Sequence, residues 1–292
     1  MIEIGRFGFP YRSAAITTGA ALQAEADGVD AIWFADHLAL AAASVPQLDG
    51  LLGAIVPDAA GFADPIVAAA TTLMVTRRMT VGAILDPRRR DASTLAQSAA
   101  TLAELAPGRF ALGLRHGDLQ DASRLDACFA AIGDLSSGSG FDVVVVGGAG
   151  AREAAARHGA GWLAEQPESA ETFAETFGAG ARAAVDGLAA GVMLDVIVHD
   201  DPAAAERAAA QPAVRERGLF SGTPAELVTS LKPYVDAGAR RFVLENVLPL
   251  VAPEELAAAD RALHAAVRNA RLTFRAGAWP ERPGPKAQER RA

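Results

Sequence analysis

A single cysteine, Cys128, leaves no internal disulfide and no cysteine-based zinc cluster to be built. Its neighbours Ala127, Phe129 and Ala130 predict a core thiol rather than a nucleophile. Aromatic residues are scarce at 6%, and Ala and Gly carry much of the composition, which predicts closely packed helices. Basic residues are too few to neutralise a phosphate backbone: 27 Lys and Arg stand against 35 Asp and Glu, a net charge of −8, which excludes general nucleic-acid binding. No stretch approaches the ~20 consecutive apolar residues of a membrane-spanning helix. No basic segment followed by an apolar run marks the amino terminus as a targeting signal, so the expected location is cytoplasmic.

What remains is an ordinary globular composition, 51% hydrophobic and 21% charged over 292 residues. The most informative stretch is Ala31-Ile32-Trp33-Phe34-Ala35-Asp36-His37-Leu38. Five apolar residues without alternation predict a strand buried on both faces, as in a parallel sheet. The acid and histidine that follow stand where ligands bind in such proteins, at the carboxyl end of a strand. Asp36 capping the next segment, with His37 a plain loop residue, is the alternative reading.

Further strands are predicted at Ile4–Phe9, Thr80–Leu85, Phe110–Leu114, Phe141–Val146, Gly161–Ala164, Val192–Val198 and Arg241–Glu245. Helical patterns separate them. Asp64-Pro65 and Asp201-Pro202 each pair a capping acid with proline in the first turn, and Thr223-Pro224-Ala225-Glu226 is a capping box. Residues 38–63 hold Pro46, Gly50, Gly53, Pro57 and Gly61 and predict a long loop at the functional rim. Eight strands alternating with helices over about 270 residues predict a closed (β/α)8 barrel, with a doubly wound open sheet as competitor. The predicted organisation is one barrel domain over 1–274 and a solvated Pro- and Arg-rich tail over 275–292.

In a barrel, the residues after each strand line the mouth: Pro10 and Tyr11; Asp36 and His37; Asp86; Arg115, His116 and Asp118; Gly147, Gly148 and Gly150; Glu165; His199 and Asp200; Glu245 and Asn246. No His-x-His pair lies on the first strand, so a metal site is not expected. His199-Asp200-Asp201 fits a helix cap before Pro202 better than a ligand set. Gly147-Gly148-Ala149-Gly150 lies between the most strand-like run and a helix start. Glycines let a backbone approach an anion, and a helix amino terminus offers free N–H groups, so this loop is a candidate phosphate cradle; steric need alone also makes such turns glycine-rich.

The segment Glu25-Ala26-Asp27-Gly28-Val29-Asp30-Ala31-Ile32-Trp33-Phe34-Ala35-Asp36-His37-Leu38 resembles the early signature of the luciferase-like monooxygenase superfamily. The likeness continues through Asp64-Pro65, Arg78 to Gly82, Leu95-Ala96-Gln97, Thr101-Leu102, Pro107 to Gly113, Val144 to Gly148 and Gly222 to Leu227. It implies a (β/α)8 barrel that binds the deazaflavin F420, or alternatively FMN, at its mouth and acts on a small organic substrate, with homodimers common among relatives. It places His37, beside Asp36, near the reactive ring as acid or base, and implies a cis peptide at Ala83–Ile84 behind that ring. Such a bond costs ~3–4 kcal/mol and persists only where the fold enforces it.

Two departures from the family pattern stand out. After strand four the sequence reads Gly113-Leu114-Arg115-His116-Gly117-Asp118, where relatives often have small residues and a glutamate. Asp118 takes the place of that longer acid; Arg115 could pair with an anionic part of cofactor or substrate, or form a rim salt bridge. The segment from Asp118 to Phe141 is also shorter than usual, so the insertion after strand four is reduced. Three functions follow: a deazaflavin oxidoreductase, an FMN monooxygenase of the same superfamily, or a barrel without catalysis that serves as a binding partner.

Overall fold

The computed structural model describes residues 2–8, 14–36, 64–116, 122–135, 140–184, 189–215 and 218–275. Their strands are β1 (Glu3–Phe7), β2 (Ala31–Ala35), β3 (Thr80–Leu85), β4 (Phe110–Arg115), β5 (Asp142–Val146), β6 (Gly161–Glu165), β7 (Ala190–Val198), β8 (Phe220–Gly222) and β9 (Arg241–Asn246). The helices are α1 (Ala14–Ala26), α2 (Pro65–Val75), α3 (Ala92–Leu105), α4 (Ala122–Leu135), α5 (Ala149–His158), α6 (Ala170–Ala184), α7 (Pro202–Ala209), α8 (Pro212–Arg215), α9 (Pro224–Asp236), α10 (Leu248–Val251) and α11 (Leu256–Arg275).

β1 to β7 pair in sequence order, β7 pairs with β9, and β9 pairs with β1, every pair parallel. Eight strands therefore close into a (β/α)8 barrel, and the open-sheet competitor is excluded. β8 was not foreseen, because three residues, Phe-Ser-Gly, carry no alternation to read. It pairs with the far end of β7, from Val196 to Val198, on the edge that β6 occupies lower down.

Alternation along each strand separates two cores. One set packs outward under the helices. The other fills the barrel, with Phe7, Trp33, Ile84, Val144, Leu163, Met193 and Val243 among its members. Trp33 is the largest of these and is possible only because Gly82 faces it: a Cβ on Gly82 would lie 2.1 Å from the indole. At the amino end, Arg241 closes the floor. Its Nε donates to Glu3 at 2.7 Å, its Nη2 to Asp142 at 3.1 Å, and its guanidinium sits 5.4 Å from the centre of the Trp33 ring.

Local signals fix the helix starts. Asp64 accepts from the amides of Ile66 and Val67, Asp91 from Thr94, and Asp201 from Ala203. Thr223 and Glu226 form the reciprocal capping box. Cys128 is buried, and burial raises its thiol pKa, in keeping with a core thiol. Among the described residues, no helix is long and apolar enough to cross a membrane.

Candidate active site at the carboxyl end of the barrel

Following the inward set of each strand upward gives the residues that reach the mouth. They are Phe7, Ala35, Arg115, Val146, Glu165, Asp195 and Glu245, with Asp86 next in the series of Gly82 and Ile84. The apolar barrel interior thus ends in a polar ring. Asp195 and Glu245 are in register on β7 and β9. Arg115 donates through Nη1 to Glu165 Oε1 at 2.5 Å. Asp86 is tied to Arg88, whose Nε and Nη2 reach its two oxygens at 3.0 and 2.7 Å and whose backbone N–H adds a bond of 2.9 Å. Burial alone would raise the pKa of Asp86; the bonds from Arg88 and the charges of Arg88 and Arg115 outweigh it and hold the carboxyl below its ordinary value.

Asp36 stands one residue past β2. Its Oδ2 accepts from the Asp86 amide at 3.2 Å, and its Oδ1 meets Arg90 Nη2 at 3.3 Å. The same nitrogen donates to Asp64 at 2.6 Å. Asp36 and Asp64 therefore pin Arg90 between β2, α2 and the loop after β3, bracing the rim. His37 and Asp118, the other residues expected to exchange protons, lie outside the described residues, as do Pro10, Tyr11, the loop over 38–63 and the tail from residue 276.

The glycine-rich turn after β5 is tight. Gly147 has φ +142°, and a Cβ there would lie 2.7 Å from the carbonyl oxygen of His116. Its own carbonyl accepts from Trp162 Nε1 at 2.9 Å, which fixes the turn from below. Gly148, Ala149 and Gly150 are exposed at the start of α5. Gly148 provides no side-chain cap for α5, whereas α2, α3, α7 and α9 are each capped by their own acid or threonine. The α5 amides are thus left to an external acceptor, and with the helix dipole they fit an anion such as a phosphate. The His116 ring borders this turn, 3.3 Å from where a Gly150 Cβ would be. Two residues on, Arg152 Nε is buried with no partner among the described residues. His116 and the Gly147–Gly150 turn are therefore brought together, while Arg115 faces the barrel axis beside them.

Two expectations are corrected, and one residue was missed. The Ala83–Ile84 bond is trans: no cis peptide occurs among the described residues, and both residues pair in unbroken register with β2 and β4. With both edges hydrogen-bonded there is no bulge to accommodate one. Ala83 belongs to the outer core and Ile84 to the sealed barrel interior. His199 and Asp200 do not line the mouth, because β7 runs past the barrel rim to meet β8; Asp195 is the β7 residue at mouth level. His199 Nδ1 accepts from the Asp201 amide at 2.9 Å, the cap role its sequence suggested. Gln166 was overlooked. It holds φ +43°, rare for a residue with a side chain, and its Oε1 accepts from the Asp195 amide at 3.0 Å. It fills the gap on the β7 edge between β6 and β8, and only the tertiary pairing reveals that gap. Among the described residues, no three His, Cys, Asp or Glu side chains group as metal ligands.

Residues 10–127 match the family model described as luciferase-like monooxygenase. No curated protein sequence matches the chain. Solved structures share the barrel. An F420-dependent secondary alcohol dehydrogenase, seen with an F420–acetone adduct, superposes with a TM-score of 0.65 at 16% identity, covering 91% of this chain and 99% of that one. The monooxygenase RslO1 from Streptomyces bottropensis gives 0.67 at 16% identity, with coverage of 92% and 99%. The long-chain alkane monooxygenase LadA gives 0.62 at 14%, with coverage of 92% and 91%. At these identities the likeness is one of fold.

Proposed function

We propose that this chain, whose residues 10–127 match the luciferase-like monooxygenase family model and whose barrel is shared with solved enzymes of that type, is an oxidoreductase that moves a hydride between F420 and a small organic substrate. The observation that carries the reading is the uncapped start of α5 at Gly148, opening beside a polar ring at the end of an otherwise sealed barrel. A cofactor phosphate would rest on the amides of Gly148 to Gly150, with His116 at its flank. When bound, the deazaflavin supplies the hydride chemistry; the protein supplies position and protons. His37 is assigned the proton exchange that accompanies hydride transfer, with Asp118 second, and Asp36 keeps the rim beside His37 rigid through Arg90. FMN with oxygen is the second reading, favoured by the two monooxygenases that share the fold. Both cofactors carry a phosphate, so the α5 cradle serves either. A homodimer is part of the same proposal.

Titration of the purified chain with F420 and with FMN, followed by absorbance, tests this. Gly148→Asp is the decisive variant. A Cβ at Gly148 meets nothing within 4 Å, and aspartate is a favoured helix cap, so the variant should fold with unchanged or slightly raised melting temperature. Its carboxylate would occupy the amides meant for the cofactor. Affinity should fall at least tenfold, about 1.4 kcal/mol. Saturable binding of F420 by the parent supports the first reading and of FMN alone the second. Binding of neither leaves a non-catalytic barrel. Unchanged affinity in Gly148→Asp removes this turn from the site.

A further inference from the structure

We propose that Arg115 is the substrate-recognition residue of the mouth, its Nη2 donating to a carbonyl or carboxylate oxygen of the small organic molecule that enters the barrel; this rests on the mouth being the active site. Arg115 ends β4 on the inner face, and its side chain is only 13% exposed. Nη1 is held by Glu165, yet Nη2, buried, has no acceptor among the described residues. A buried charged donor left unmade is costly, so an acceptor belongs there. Among the described residues the neighbouring acids do not provide it. Both oxygens of Asp86 are taken by Arg88, and Glu165 meets Arg115 through Oε1 and Nη1. The guanidinium is therefore anchored at one nitrogen and keeps a donor to spare on the other, enough to read one oxygen.

The test uses the full chain without cofactor. Arginine-labelled protein is titrated with acetate, acetamide and methylammonium while guanidinium resonances are followed by NMR; the Arg115 signal is identified by its loss in Arg115→Lys. Acetate or acetamide should shift that signal saturably, with at least tenfold higher affinity than methylammonium. Calorimetry on Arg115→Met should show the favoured probe bound at least tenfold more weakly. The proposal is overturned if neither oxygen probe moves the Arg115 signal, if methylammonium moves it as much, or if Arg115→Met binds as the parent does. The F420 titration is scored separately. Loss of cofactor binding with the Arg115 response intact removes the oxidoreductase reading alone; the reverse result removes only the role of Arg115.

Discussion

At the floor of the barrel Arg241 is held by Glu3 and Asp142 and lies over Trp33; at the mouth Arg115 is held by Glu165 alone and keeps one nitrogen without a partner among the described residues. Both are inward-facing arginines on barrel strands, and their carboxylate partners lie across the strands in each case. The difference is what surrounds them. The floor adds a second acid and an aromatic face. The mouth has an uncapped α5, a positive-φ Gln166 and an arginine with a free edge.

Removing a floor contact should therefore cost far more stability than removing its counterpart at the mouth. Arg241→Met removes the cation that Glu3 and Asp142 share and should lower unfolding free energy by about 3–5 kcal/mol in denaturant titration. A loss below about 1 kcal/mol would erase the contrast. Under the proposed role of His37, His37→Ala should leave stability and cofactor affinity nearly unchanged but reduce saturated turnover by roughly 10²-fold. Near-normal turnover would reduce His37 to a loop brace.

A third arginine sharpens the comparison through pH. Arg6, buried on the outer side of β1, donates to His264 Nε2 at 2.9 Å, so Nδ1 carries the ring proton and donates to Asp27 at 2.7 Å. Burial, and then the charge of Arg6, depress the His264 pKa below its ordinary value, against the pull of Asp27. The unfolded chain gains this proton near pH 6.5 and the folded chain only at lower pH. Between those values the unfolded state binds more protons, so stability falls as pH drops below about 6.5. Stability from urea unfolding should be lower at pH 5.5 than at pH 7.5, and His264→Gln should flatten the slope. The smallest effect is expected from Glu165→Gln. This partly exposed partner of Arg115 should change stability by no more than about 1 kcal/mol. A larger loss would make Arg115–Glu165 a structural pair like that of the floor.

What the sequence determined by itself is local. β2 and β3 fall where their residue patterns placed them, and Asp64-Pro65, Asp201-Pro202 and the Thr223 box start helices as their side-chain chemistry requires. Eight such strands between helices favoured the closed barrel over an open sheet, and the glycine-rich stretch after β5 was legible as a strand-to-helix turn. Tertiary structure decided everything that depends on partners distant in the chain. Asp195 replaces His199 at the mouth because β7 pairs beyond the barrel with β8, a three-residue strand too short to show a pattern. Ala83–Ile84 stays trans because β2 and β4 pair with it on both edges. The engagement of Asp36 with Arg90, of Arg115 with Glu165 and of Arg6 with His264 joins residues 54, 50 and 258 positions apart. Periodicity and capping act over a few residues and can be read along the chain. Which buried charge finds a partner, and which is left with a donor to spare, is settled only when the strands close.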